Sequence, residues 1–143
     1  MYAALRAIPT PDDVVARLFH AASLLREHRG DGHIAALMTE GVGGLEAHVL
    51  HALDMGMPAQ KFGRVHHLPP AQLAAVIDGM RARNLIGDDG WLSETGRTLK
   101  QRVEALTDDL AAKPYESLGS DELDELMTTL EPLAKLLLAD QNW

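Results

Sequence analysis

The chain has 143 residues, no cysteine and a formal net charge of -8 at pH 7. That length fits one domain burying about two-thirds of its unfolded surface, and the missing thiols exclude a disulfide framework, a thiolate metal site and a Cys nucleophile. Nearly half the residues are apolar yet Trp, Tyr and Phe number two each, so the core must be aliphatic, and Ala and Leu favour helix.

Thr10-Pro11-Asp12-Asp13 predicts a helix start, with Thr as N-cap, Pro at the first helical position and carboxylates at the positive end of the dipole. This helix is expected to run to about His28 and to break at Gly30-Asp31-Gly32. Asp31 would then cap a second, short helix from His33 to Glu40, closed by Gly41. After Gly43-Gly44, the positions Leu45, Val49 and Leu53 repeat at helical spacing and share one face. Pro58 is expected to open a middle helix over Ala59 to Val65, with the turn at His66-His67-Leu68. Pro69-Pro70 start a third helix near Ala71, whose apolar face is Leu73, Ile77 and Met80. Asn84 sits where a helix stops in the left-handed region. Leu85-Ile86 and Trp91-Leu92 flank the turn cluster Gly87-Asp88-Asp89-Gly90, which predicts a small β-hairpin. Ser93 caps a long helix to about Ala112, with Leu99, Val103, Leu106 and Leu110 as a narrow seam suited to a partner helix. Ser120 caps a last helix rich in leucine, expected to kink at about Leu130 because of Pro132.

The fold expected is mainly α: a winged helix-turn-helix with a small β-hairpin wing and long N- and C-terminal dimerisation helices. Residues 10–43 form the N-terminal helices, 44–92 the winged-helix lobe and 93–143 the C-terminal helices of a single domain. The wide leucine face of the last helix is more than a lone small domain exposes, so a homodimer through the terminal helices is expected. No apolar run reaches the ~20 residues of a membrane span, and the N-terminus lacks the order of a secretory signal, so the reading is a cytoplasmic protein.

Six of the seven histidines lie between His28 and His67. His28, Arg29, Asp31 and His33 gather around the expected helix break, and His48 and His51, with Glu46 just before them in sequence, share a helical face opposite Leu45, Val49 and Leu53. His, Arg and acid mixed at a helix junction suit an anionic or polar ligand, with Arg29 as the fork, or proton transfer by His. These seven are the candidate ligand-binding residues. The plain alternatives are a capping Asp31 and an Arg29 paired with Glu27 or Glu40. No HExxH or comparable spacing supports a metal site, and no Ser-His-Asp order, phosphate loop or paired-carboxylate motif marks an enzyme, so no metal, cofactor or catalytic residue is assigned.

Arg81-Ala82-Arg83-Asn84-Leu85-Ile86 followed by Leu92-Ser93-Glu94-Thr95-Gly96-Arg97, in this order of helices and hairpin, resembles the MarR family over nearly the whole chain. A closer likeness is to actinobacterial SalK-type proteins, on the string Leu25 to Leu37 (LREHRGDGHIAAL) and on Gly44 to Ala52 (GLEAHVLHA). The resemblance implies a homodimeric, ligand-responsive, DNA-binding transcriptional regulator with an effector pocket near the dimer junction. By that geometry the helix beginning near Pro69 enters the major groove of double-stranded DNA, where Gln72 has the one amide able to pair with adenine. Lys61, Arg64, His66 and His67 would contact phosphate. Against this, residues 44–92 carry four basic side chains and five acidic ones, and Asp88-Asp89 places carboxylates where a DNA-binding wing puts cations. The alternative is a SalK-type protein that keeps the scaffold, does not bind DNA and uses the HRGDGH region to bind or transform a small molecule.

Overall fold

The computed structural model describes residues 1–62 and 67–139, which divide into two compact units, Met1–Ala111 and Ala112–Trp143. The helices are α1 (Tyr2–Arg6), α2 (Val14–Thr39), α3 (Gly44–Asp54), α4 (Pro70–Ala82), α5 (Glu94–Ala112) and α6 (Ser120–Ala139).

In the first unit α1 lies on α2. The Asp31 carboxylate accepts from the Met1 ammonium at 3.2 Å and from the Tyr2 N–H at 3.1 Å. The Tyr2 ring meets His28 edge-on at 4.9 Å. The cap of α2 is Asp13, whose carboxylate accepts from the Ala16 N–H at 2.9 Å, rather than Thr10. The expected break at Gly30-Asp31-Gly32 does not occur: α2 runs 26 residues through it. An interior glycine costs a helix only about 1 kcal/mol, which tertiary packing can offset. Here a Cβ on Gly32 would sit 3.2 Å from the Leu110 Cβ, so this glycine lets α2 and α5 approach closely.

The core gathers between residues 42 and 99. Val49, Leu50 and Leu53 of α3 meet Leu73 and Met80 of α4, with Leu85, Ile86, Leu92 and Leu99 closing around them. It is aliphatic throughout, as the scarcity of aromatic residues requires. Glu46 opens α3 by accepting the Gly43 N–H at 2.8 Å and holds Arg83 at 2.9 Å. The middle helix expected over Ala59 to Val65 is a single 3-10 turn, Ala59–Lys61, within the described residues; Arg64, Val65 and His66 lie outside them. Asn84 adopts φ 60° as expected, and the Leu85 N–H reaches back to the Met80 carbonyl at 2.9 Å.

The β-hairpin wing is not formed. Among the described residues there is no strand, only one antiparallel bridge between Ile86 and Leu92. The pairing extends no further because Asn84 ends α4 on one side of it and Ser93 starts α5 on the other. The N–H of Ser93 bonds the Leu85 carbonyl at 3.0 Å while its hydroxyl accepts the Gly96 N–H at 3.0 Å, and α5 begins at once. With Ser93 N–H to Leu85, Gly87 N–H to the Trp91 carbonyl at 2.8 Å completes the pair of hydrogen bonds of that bridge, and Trp91 N–H to the Asp89 carboxylate at 3.0 Å belongs to the turn between.

In the second unit a 3-10 turn, Lys113–Tyr115, precedes α6. Glu122 accepts the Gly119 N–H at 2.8 Å to start that helix, which continues through Pro132. No residue of α6 is buried, and Met127, Leu136, Leu137 and Leu138 are each more than 60% exposed. No helix among the described residues is long and apolar enough to cross a membrane.

Candidate functional site

Two surfaces of the first unit carry chemistry. The first is the outer face of α4, where Ala71, Gln72, Ala74, Ala75 and Asp78 are exposed while Leu73 and Met80 point inward. Pro70 at the first turn cannot donate a hydrogen bond and is suited to a helix start. Gln72 is therefore presented near the N-terminal end of α4, with Lys61 exposed on the preceding turn. His67 is exposed as well, whereas Arg64 and His66 fall outside the described residues. The nearby cations are engaged: Arg81 pairs with Asp78 at 3.2 Å and Arg83 with Glu46 at 2.9 Å. Asp88 and Asp89 both reach solvent.

The second surface is a cleft of about 580 Å³ walled by α2, α3 and α5 and edged by Phe62. That volume lies in the range of small-molecule sites. Leu37, Ala47, Leu50 and Val103 give it an apolar floor; Arg29, His33, His48, His51, Asp54, Lys100 and Glu104 bring polar groups to it. The His51 ring meets Phe62 edge-on at 5.0 Å, and His48 lies tilted at 6.4 Å from the same ring.

Of the residues that the sequence singled out for a ligand, the structure brings Arg29, His33, His48 and His51 together here. His28 and Asp31 face α1 instead, and Glu46 is occupied by Gly43 and Arg83. Arg29 does not pair with Glu27 or Glu40: it reaches Glu104 at 3.2 Å and Asp108 at 3.4 Å across to α5, while Glu40 holds Arg102 at 2.8 Å. Phe62, Lys100 and Glu104 were missed by sequence reasoning. The spacing of Lys100 and Glu104, one turn apart beside the Leu99-Val103 seam, is the signal that was available. Among the described residues no group of three or more His, Asp or Glu side chains is placed to hold a metal ion.

Lys100 and Glu104 form a close ion pair, with Lys100 largely enclosed at 12% side-chain exposure. Burial pushes the Glu104 carboxyl up, but the Lys100 hydrogen bond and charge, with His33 and Arg29 behind them, outweigh it and hold it below its ordinary value of 4.5. His33 goes down from 6.5, chiefly because burial disfavours its cation; Arg29, Lys100 and His51 add to this and Glu104 opposes it. Its Nδ1 lies 2.9 Å from the hydroxyl of fully buried Thr107.

A stability effect follows, with a definite sign. As pH falls below 6.5 the unfolded chain protonates this histidine while the folded chain resists, so the unfolded state binds more protons and stability declines. The contribution is fully present above 6.5 and is lost as pH falls through the lower folded value. Urea unfolding across this interval is expected to show a shallower decline in His33→Gln than in the parent; parallel curves would remove His33 from the account.

A helix-turn-helix family model matches residues 1–143, the whole chain. This protein belongs to that helix-turn-helix family. Such membership points to a DNA-binding regulator in general and agrees with α4 offering its first turn outward from the α3–α4 core. No curated protein and no solved structure matches the chain.

Proposed function

We propose that this helix-turn-helix protein is a homodimeric, MarR-like transcriptional regulator that binds double-stranded DNA through α4 and a small-molecule effector in the cleft of the first unit. The observation that carries the reading is the family match over the full chain, taken with a solvent-facing Gln72 at the start of α4. In this reading Gln72 meets an adenine edge, and Lys61, Arg64, His66 and His67 face the phosphates. Arg29, His33, His48 and His51 line the effector site, while His28, Asp31 and Glu46 support the walls around it. Coupling is supported by a shared element: α3 contributes His48 and His51 to the cleft and Val49, Leu50 and Leu53 to the core that seats α4.

The second copy is proposed to cover the apolar faces that each unit leaves open. These are Val14, Val15 and Phe19 at the start of α2, all above 70% exposed, and the leucines of α6. Two copies bring the same faces to a symmetric contact.

Selection from random duplexes followed by binding of Gln72→Ala tests the DNA reading. Loss of a bidentate amide is expected to cost about 1–3 kcal/mol on the selected site, with binding to unrelated duplex unchanged. Equal losses on both would show that Gln72 reads no base.

A SalK-type alternative, without DNA binding, is favoured by one observation: Arg81 and Arg83 are already paired and Asp88 and Asp89 are exposed. In that reading the same cleft binds or transforms a small molecule.

A further inference from the structure

Thr107 fixes what His33 can offer a ligand. The buried hydroxyl of Thr107 lies 2.6 Å from the Val103 carbonyl, a separation that two oxygens tolerate only with a proton between them. A hydroxyl has one proton, so Thr107 donates to Val103 and must accept from His33. Nδ1 of His33 therefore carries the hydrogen and Nε2 carries a bare lone pair. Nε2 has no protein partner among the described residues. No buried side-chain nitrogen or oxygen there lacks one, so this atom reaches open space, and His33 lines the cleft.

The cations beside it are already engaged by carboxylates. Glu104 is held at once by Lys100 and Arg29, and Asp108 takes Arg29 from the other side. A carboxylate ligand would have to displace Glu104 from a partly enclosed pair and strand it next to the newcomer, which is unfavourable in a low-dielectric setting. What remains is an apolar floor, the Phe62 ring with His48 and His51 against it, the Asp54 carboxylate, and the one acceptor that Thr107 fixes.

We propose that the cleft selects a neutral, flat molecule that donates a hydroxyl or N–H hydrogen to His33 Nε2 and lays its ring against Phe62, in preference to an anion. This deepens the reading of the cleft as an effector site and rests on it. Burial keeps His33 uncharged near neutral pH, which leaves the lone pair in place.

The probes share one naphthalene ring and differ in its substituent: 2-naphthol, its methyl ether and 2-naphthoate, titrated calorimetrically against the full chain. Naphthol is expected to bind about tenfold more tightly than the ether, because the ether leaves a desolvated acceptor unpaired. Thr107→Val, close in size to the parent, frees the imidazole tautomer and is expected to reduce that preference several-fold while the ether binds as before. His33→Phe should abolish it; nitrogen-detected NMR of the parent imidazole, showing hydrogen on Nδ1, supports the assignment even where that variant fails to fold. Naphthoate binding as well as naphthol, ether binding equal to naphthol, or hydrogen on Nε2 would each overturn the ligand class while leaving the cleft a binding site. Binding by none of the three overturns both. Naphthol binding as expected, with DNA affinity unmoved, sinks the regulator reading and leaves this inference standing.

Discussion

Gly96→Ala is expected to lower the melting temperature by about 10 °C or more, and in the limit to prevent folding. A Cβ at this position would stand 2.1 Å from the Leu85 carbonyl oxygen and 3.1 Å from its carbon, both backbone atoms with no rotamer to yield. The contact is close because three hydrogen-bonded features converge. Asn84 turns left-handed to end α4, Leu85 accepts the Ser93 N–H, and the Ser93 hydroxyl accepts the Gly96 N–H. The first turn of α5 is thereby held against the end of α4, with Leu85, Ile86, Leu92 and Leu99 packed beneath. Overpacking against movable side chains costs about 1–3 kcal/mol; against backbone the cost lies at or above the top of that range. For a chain of this size about 3 kcal/mol corresponds to a shift on the order of 10 °C. A circular-dichroism melt decides it, and a shift below about 2 °C would mean the α4–α5 junction is looser than described.

Leu133→Glu with Leu137→Glu is expected to convert the proposed dimer to a monomer. Both residues lie on α6, where Leu133 is 40% and Leu137 61% exposed, so the substitutions disturb no buried site in the chain itself. Sedimentation equilibrium at micromolar concentration should show the parent at twice the chain mass and the variant at once, with helical content retained. DNA with two half-sites should lose 100-fold or more in affinity, because the second half-site contact ceases to be intramolecular. A parent protein that already runs as a monomer would contradict the dimer and the two-half-site geometry together.

How far the sequence could be read depended on whether a signal was local. Asn84, Pro70 and the Ser93 hydroxyl act on their immediate neighbours, and the helices they bound were legible. Gly30-Asp31-Gly32 was misread as a break because its meaning is not local: Gly32 is small to admit Leu110, some eighty residues on. The hairpin was over-read for a related reason. Its turn residues are those of a hairpin, but Asn84 ends α4 and the Ser93 hydroxyl starts α5 directly on either side of the Ile86–Leu92 bridge, which leaves too few residues for strands. At the cleft, the clustering of histidines was visible, yet proximity in sequence did not mean convergence. His28 and Asp31 turn to α1, while Arg29 and His33, next to them, turn to α5. Phe62 joins the site from beyond α3, and Lys100 and Glu104 join it from α5, about 70 positions after Arg29 and His33, which no window along the chain could supply.

A chain of charge -8 is proposed to grip duplex DNA through one nearly neutral face. The direct measurement is the salt dependence of binding to selected duplexes by fluorescence anisotropy. The logarithm of affinity is expected to fall linearly with the logarithm of salt, with a shallow slope of about -2 to -4 from the few cations at Lys61 and its neighbours. Absence of binding to any duplex at low salt would contradict it.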